Sequence, residues 1–141
     1  NEPGVTERRG VELAAIAVIT PGLAVNASYT YIDSNTPTGE RLIRIPKHNV
    51  VVGVDAQPID KLTVNLTAAF IADLTDTPQT DPVALDDYVL VSAKIGYEFA
   101  PGFVAYVRGE NLLDENYQTN IGYGTPGLSV FGGITMALPS N

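Results

Sequence analysis

Apolar and polar residues alternate with a period of two along most of the chain, and no stretch sustains the 3.6-residue period of a helix. Seven segments carry the alternation. The first, about 9–20, puts Val11, Leu13, Ala15, Ala17 and Ile19 on one face. Its other face holds Glu12 but also Ile16 and Val18, so it is the least clean. The second, about 23–33, sets Leu23, Val25, Ala27, Tyr29 and Tyr31 against Asn26, Ser28 and Thr30. The third, about 48–57, opposes Val50, Val52, Val54 and Ala56 to Asn49, Gly53 and Asp55. In the fourth, about 62–72, Leu62, Val64, Leu66, Ala68 and Phe70 oppose Thr63, Asn65 and Thr67. The fifth, about 88–99, sets Val89, Val91, Ala93, Ile95, Tyr97 and Phe99 against Ser92, Lys94, Gly96 and Glu98. The sixth, about 103–112, sets Phe103, Ala105 and Val107 against Tyr106, Arg108 and Glu110. The seventh, about 128–138, has Val130, Ile134, Met136 and Leu138 as its apolar face. The pattern predicts an all-β chain.

The connections alternate short and long. Pro21-Gly22, Pro58-Ile59-Asp60-Lys61 and Ala100-Pro101-Gly102 are tight turns, whereas 34–47, 73–87 and 113–127 are long and polar. That asymmetry fits an antiparallel up-and-down transmembrane β-barrel, with tight periplasmic turns and longer extracellular loops. On this reading the first and seventh segments both run toward the periplasm. Aromatic residues near the segment ends (Tyr29, Tyr31, Phe70, Tyr97, Phe99 and Phe103) fit interfacial girdles. Charges on the second face (Glu12, Asp55, Lys94, Glu98, Arg108 and Glu110) suit a wet or plugged lumen. A soluble β-sandwich also alternates in this way, and in it those charges would form the solvated face. Segments of about ten residues exceed the usual strand of about five or six, which favours the barrel.

Composition narrows the classes. No run of about 18 apolar residues exists, which excludes a transmembrane helix but not a strand of about 9–11 residues. There is no Cys, so no disulfide framework or thiolate site is possible. The net charge of −8 argues against a nucleic-acid partner. The chain starts at Asn1 without Met and without a signal segment, and it reads as an internal start. About seven strands do not close a bacterial single-chain barrel, which has an even number, and an open edge in lipid leaves backbone groups unsatisfied. The chain is therefore expected to be part of a larger barrel or one subunit of a shared one.

The last third carries a distinctive run: Arg108-Gly109-Glu110-Asn111-Leu112-Leu113-Asp114-Glu115-Asn116-Tyr117-Gln118, then Gly122-Tyr123-Gly124-Thr125-Pro126-Gly127. It resembles the C-terminal signature of TonB-dependent receptors, in which the penultimate strand ends in an Asn-Leu pair and a Pro-Gly precedes the final strand. Arg9-Gly10-Val11-Glu12-Leu13, Tyr29-Thr30-Tyr31 with Asp33, and Ile45-Pro46-Lys47-His48 agree with that family in order and spacing. The resemblance covers nearly the whole chain and points to the cobalamin and siderophore branch. The sequence departs from the family at Leu128, where Arg is usual, and at Pro139-Ser140-Asn141, where the family ends on an aromatic residue.

The resemblance implies a parent barrel of about 22 strands with a plugged lumen, in the outer membrane of a Gram-negative bacterium and surrounded by lipid and lipopolysaccharide. It implies import of a large scarce solute such as an iron–siderophore or cobalamin, energised by the TonB complex through an N-terminal part absent here, as is the plug. The whole of 1–141 is then one wall region. The signature residues Glu110, Asn111, Leu112, Asp114, Tyr117, Gly122, Tyr123, Pro126 and Gly127 take structural roles. Asn111 and Asp114 would end the strand by bonding nearby backbone, while Pro126 and Gly127 would reset the chain through their dihedrals. Glu98, Arg108 and Glu110 would form a lumenal ion network bracing the wall against the plug. Any ligand contact is expected in loops 34–47, 73–87 and 113–127.

No catalytic constellation, metal site or cofactor is expected. His48 is the single His and stands at a strand start, where a structural role is the simpler reading. Asp73, Asp76, Asp81, Asp86 and Asp87 share one loop without calcium-loop spacing, and a solvated acidic loop is expected there. No phosphate loop or nucleophile elbow is present. The alternatives to a receptor are a passive porin-like or multimeric barrel subunit and a soluble β-sandwich binding module.

Overall fold

The computed structural model describes residues 4–77 and 81–137. Its strands are β1 (Glu7–Thr20), β2 (Leu23–Asn35), β3 (His48–Ile59), β4 (Leu62–Ala72), β5 (Thr75–Asp76), β6 (Val83–Ala84), β7 (Tyr88–Ala100), β8 (Phe103–Glu110) and β9 (Ser129–Met136). Seven of them form one antiparallel sheet in the order β1-β2-β3-β4-β7-β8-β9, and β5 and β6 pair as a separate ribbon. The seven alternating segments are these seven strands. The ribbon was not expected within 73–87.

Register explains why the alternation survives across the sheet. Leu13 stands opposite Tyr29, Tyr29 opposite Val50, Val50 opposite Phe70, and Phe70 opposite Val89. One row nearer the turns run Ala15, Ala27, Val52, Ala68 and Val91. Because side chains alternate between faces, a one-residue slip anywhere would break the apolar side. The other face carries rows such as Asp55, Asn65, Lys94 and Arg108. β1 alone is apolar on both faces, with Ile16 and Val18 standing exposed on the polar side.

The sheet is a single layer. The buried apolar residues Ala72, Leu74 and Tyr88 all lie at the long-loop end, while Leu66, Ile95, Val107 and Ile134 stand exposed in the strands. Two stacked sheets would bury those faces against each other. They do not, so the sandwich reading fails. Among the described residues, β1 and β9 end the sheet without pairing to each other, and no closed barrel is formed.

Strand ends differ from the pattern by a few residues. β8 stops at Glu110 rather than 112, because Asn111 turns to φ 50° and leaves the ladder. β9 stops at Met136, and Leu138 with Pro139-Ser140-Asn141 lies outside the described residues. Each short-turn hairpin carries a register shift beside its turn, at Val18/Thr20, Ala56/Ile59 and Glu98/Ala100. Such bulges sharpen the strand twist where the chain reverses.

Candidate functional site

The three long connections meet at one end of the sheet, and a single carboxylate joins them. Asp76 sits in β5 with its side chain 2% exposed. Its Oδ1 accepts Arg44 Nε at 2.8 Å, from the first long loop, and the Thr77 amide at 2.9 Å. Its Oδ2 accepts the Ile121 amide at 2.8 Å, from the third. The Ile121 bond is the largest influence on the group. With the Arg44 and Thr77 bonds it outweighs burial and holds the carboxyl below its ordinary value. The first two loops are also joined through backbone, since the Arg44 amide donates to the Thr75 carbonyl at 2.7 Å. Arg41 donates to the Asp73 carbonyl.

This corrects the expectation of a solvated acidic loop. Asp76 is buried and used, and Asp87 Oδ1 accepts the Asp73 amide at 2.9 Å; Asp73, Asp81, Asp86 and Asp87 remain exposed. Among the described residues, no cluster of three carboxylate or imidazole side chains is placed to hold a metal. Nothing in the local sequence separates Asp76 from its four neighbours, because its partners lie 32 and 45 residues away.

The signature residues form a second knot, between β8 and β9. Asn111 Nδ2 donates to the carbonyls of Glu115 (2.9 Å) and Pro126 (3.1 Å), and its Oδ1 accepts the Glu115 amide at 2.9 Å. Asp114 Oδ1 accepts the Leu128 amide at 2.9 Å. Gly127 is needed for space rather than for an unusual dihedral: a Cβ there would lie 2.6 Å from Asp114 Oδ1. The Leu112 amide donates to Val91, and the Leu112 side chain lies where a Cβ on Gly109 would go. Tyr117 packs against Tyr88 with the rings tilted by 33° and centroids 4.6 Å apart, and its carbonyl accepts the Thr125 hydroxyl at 2.6 Å. Gly122 takes φ 79° beside the exposed Tyr123. Glu110 stands apart from this knot, 3.3 Å from Arg108.

The expected ion network of Glu98, Arg108 and Glu110 is only partly assembled. Glu98 instead accepts the Gly102 amide at 3.0 Å and closes a short turn. Arg108 lies over the Phe131 ring, Lys94 over Tyr106, and Asp55 accepts the side-chain amides of Asn26 and Asn65. His48 bonds the Tyr29 hydroxyl at 2.8 Å and stands 3.6 Å from Asp73.

A cleft of about 430 Å³ opens between the ribbon and the β8–β9 loop, lined by Leu85, Asp86, Asn116, Tyr117, Gln118 and Ile121 among others.

A family model described as TonB dependent receptor-like, beta-barrel matches residues 1–112. The chain belongs to that family. The vitamin B12 transporter BtuB of Vibrio vulnificus is 29% identical over 106 residues, which is 73% of this chain and 17% of that protein. The ferrichrome outer membrane transporter/phage receptor of Escherichia coli K12 is 28% identical over 128 residues, 82% of this chain and 17% of that protein. The ferric-catecholate import receptor Fiu of E. coli K12 superposes with a TM-score of 0.77 at 21% identity, covering 93% of this chain and 21% of that one. This receptor-barrel chain thus spans about a sixth of the length of those two sequence relatives. Those matched proteins are named as transporters and receptors.

Proposed function

We propose that this chain is barrel wall and three extracellular loops of a Gram-negative outer-membrane receptor that imports a large scarce solute, an iron–siderophore or cobalamin. The whole of 1–141 is one wall region. Closing strands, a plug and the part that engages the TonB complex belong elsewhere in the receptor.

The observation that carries this is the continuous apolar face with aromatic residues at both edges. Tyr29, Tyr31 and Phe70 lie toward the long loops on that face, and Tyr97, Phe99 and Phe103 toward the short turns. From Val89 to Phe99, ten residues at about 3.3 Å each give about 33 Å along β7. A tilt of about 40° reduces that to about 25 Å along the membrane normal, the height of the apolar band of an outer-membrane barrel. A face of this height and composition needs hydrocarbon beside it.

The test is solute uptake by cells whose only receptor of this class carries this chain, with and without TonB. Uptake of an iron–siderophore or cobalamin that stops when TonB is deleted is expected. Uptake indifferent to TonB would leave a passive barrel in its place.

A further inference from the structure

Resting on the receptor reading above, we propose that the cleft between the β5–β6 ribbon and the β8–β9 loop is a binding subsite for a neutral or cationic, amide-bearing part of the solute, and that it discriminates against anionic solutes. The volume of about 430 Å³ lies within the range of small-ligand pockets and is too small for a whole siderophore or cobalamin, so the cleft grips one part of it.

Both walls are held in place before any solute arrives. One wall is the ribbon, where Asp76 pairs with Val83 and the Leu85 amide donates to the Leu74 carbonyl at 2.9 Å. The other includes Ile121, whose amide is bonded by the Asp76 carboxylate. Asp76 therefore fixes the spacing of the walls. Tyr117 is braced from behind by Tyr88. Binding to such a site avoids the ordering cost that a loose loop would pay.

The lining decides the chemistry. Leu85, Ile121 and the Tyr117 ring offer apolar contact, while Asn116 and Gln118 present donors and acceptors that match amide or hydroxamate groups. Asp86 adds an exposed carboxylate that accepts from an amine or amide N–H. The two connections framing the cleft, 73–87 and 113–127, hold seven acids and no Lys, Arg or His. Of the two arginines bonded at this junction, Arg44 is paired to Asp76 and Arg41 donates to the Ile45 and Asp73 carbonyls. An anionic chelate entering here meets the Asp86 carboxylate in a lining that holds no Lys, Arg or His, and the field of the acidic loops opposes its approach.

The test uses the complete receptor in outer-membrane vesicles and three probes of different charge: cationic ferrioxamine B, neutral vitamin B12 and an anionic ferric catecholate. Binding is measured for the native receptor and for Asp86→Lys, Asp86→Asn and Gln118→Ala, with assembly checked by heat-modifiable mobility. The native receptor is expected to bind the cationic or the neutral probe in preference to the catecholate. Asp86→Lys is expected to move the affinity ratio about tenfold toward the catecholate, with Asp86→Asn between, and the shift should shrink at high salt. Gln118→Ala is expected to weaken the bound probe severalfold. A native preference for the catecholate overturns the charge class. Unchanged affinity in all three variants overturns the cleft as the subsite. Binding of none of the probes overturns the proposed solute chemistry of the cleft, whereas the receptor reading falls only with the loss of TonB-dependent uptake.

Discussion

The strands and the long loops of this chain are held together in opposite ways. In the wall, backbone ladders join seven strands and shift register only beside the short turns, while large apolar side chains such as Leu66, Ile95 and Val107 stand exposed. At the loop end the reverse holds. Ser34, Ala72, Leu74, Asp76, Tyr88 and Asn111 are buried there, and side chains supply the bonds that regular pairing does not. On the receptor reading, the difference follows from the two solvents. A wall in hydrocarbon must satisfy every backbone group internally but needs no apolar core of its own. Loops in water gain nothing from exposed valines and must build a small core and specific polar links.

The largest expected effect breaks the wall side of this comparison. Val52 lies mid-strand on the apolar face, and Thr67, opposite the adjacent Gly53, lies within one residue of that depth on the polar face. Val52→Arg is expected to cost about 2–4 kcal/mol, the cost of a cation near the midplane on a lipid face. Thr67→Arg is expected to stay within about 1 kcal/mol, since it meets a wet lumen. Reversible urea unfolding of the receptor in lipid vesicles measures both. Equal costs at the two positions would remove the assignment of faces.

Next in size is the knot of the loop end. Asn111→Ala removes three bonds to backbone groups of Glu115 and Pro126, and it places Ala at φ 50°. About 2–3 kcal/mol is expected, from unpaired buried groups plus the left-handed conformation. Asn111→Asp keeps the acceptor but not the donor, and should fall between. Melting temperatures of the two variants in detergent give the order; a loss for Ala below about 0.5 kcal/mol would make the knot dispensable.

These two predictions also mark what was legible in the residues. The wall was readable because its information is local: period two sets the face, and the tight turns set the register. Even there, β8 was read two residues too long, since nothing before Asn111 announces its positive φ. The turn-forming character of Asn111 and Asp114 is written in their side chains, but their partners Pro126 and Leu128 lie 15 and 14 residues on. The ribbon escaped notice because two-residue strands have no period. The role of Asp76 escaped for a different reason: five similar acids share the segment, and only the fold selects which one meets Arg44 and Ile121.

A smaller effect is expected from Asp76→Asn, which leaves the shape but removes the charge. Hydrogen exchange at the Ile121 amide should quicken severalfold, because a bond to a neutral acceptor is weaker than one to a carboxylate. The native link should also depend on pH. The folded carboxyl titrates below its unfolded value, so its stabilisation is present above the ordinary carboxylate range and is lost as pH falls through the lowered folded value. With the intrinsic acid slowing of exchange divided out, acidification should therefore lower the protection of the Ile121 amide in the native chain and not in Asp76→Asn. Identical pH profiles would assign the protection to the backbone alone.

The smallest expected effect separates the two ends of the sheet most cleanly. Lys61 in a short turn and Asp114 in a long loop both adopt left-handed φ, at 65° and 51°. Glycine relieves that conformation by about 1–2 kcal/mol but costs about 0.5–1 kcal/mol in unfolded-chain entropy. The Lys61 carbonyl, which accepts the Glu98 amide at 2.9 Å, is unaffected by the change. Lys61→Gly should then be neutral to stabilising, by about 0.5 kcal/mol. Asp114→Gly gains the same relief but loses the carboxylate that accepts the Leu128 amide, so it should be destabilising on balance. Opposite signs in paired melting curves are the expected result. The same sign at both sites would mean that the loop end, like the turn end, is held by backbone conformation and not by its side chains.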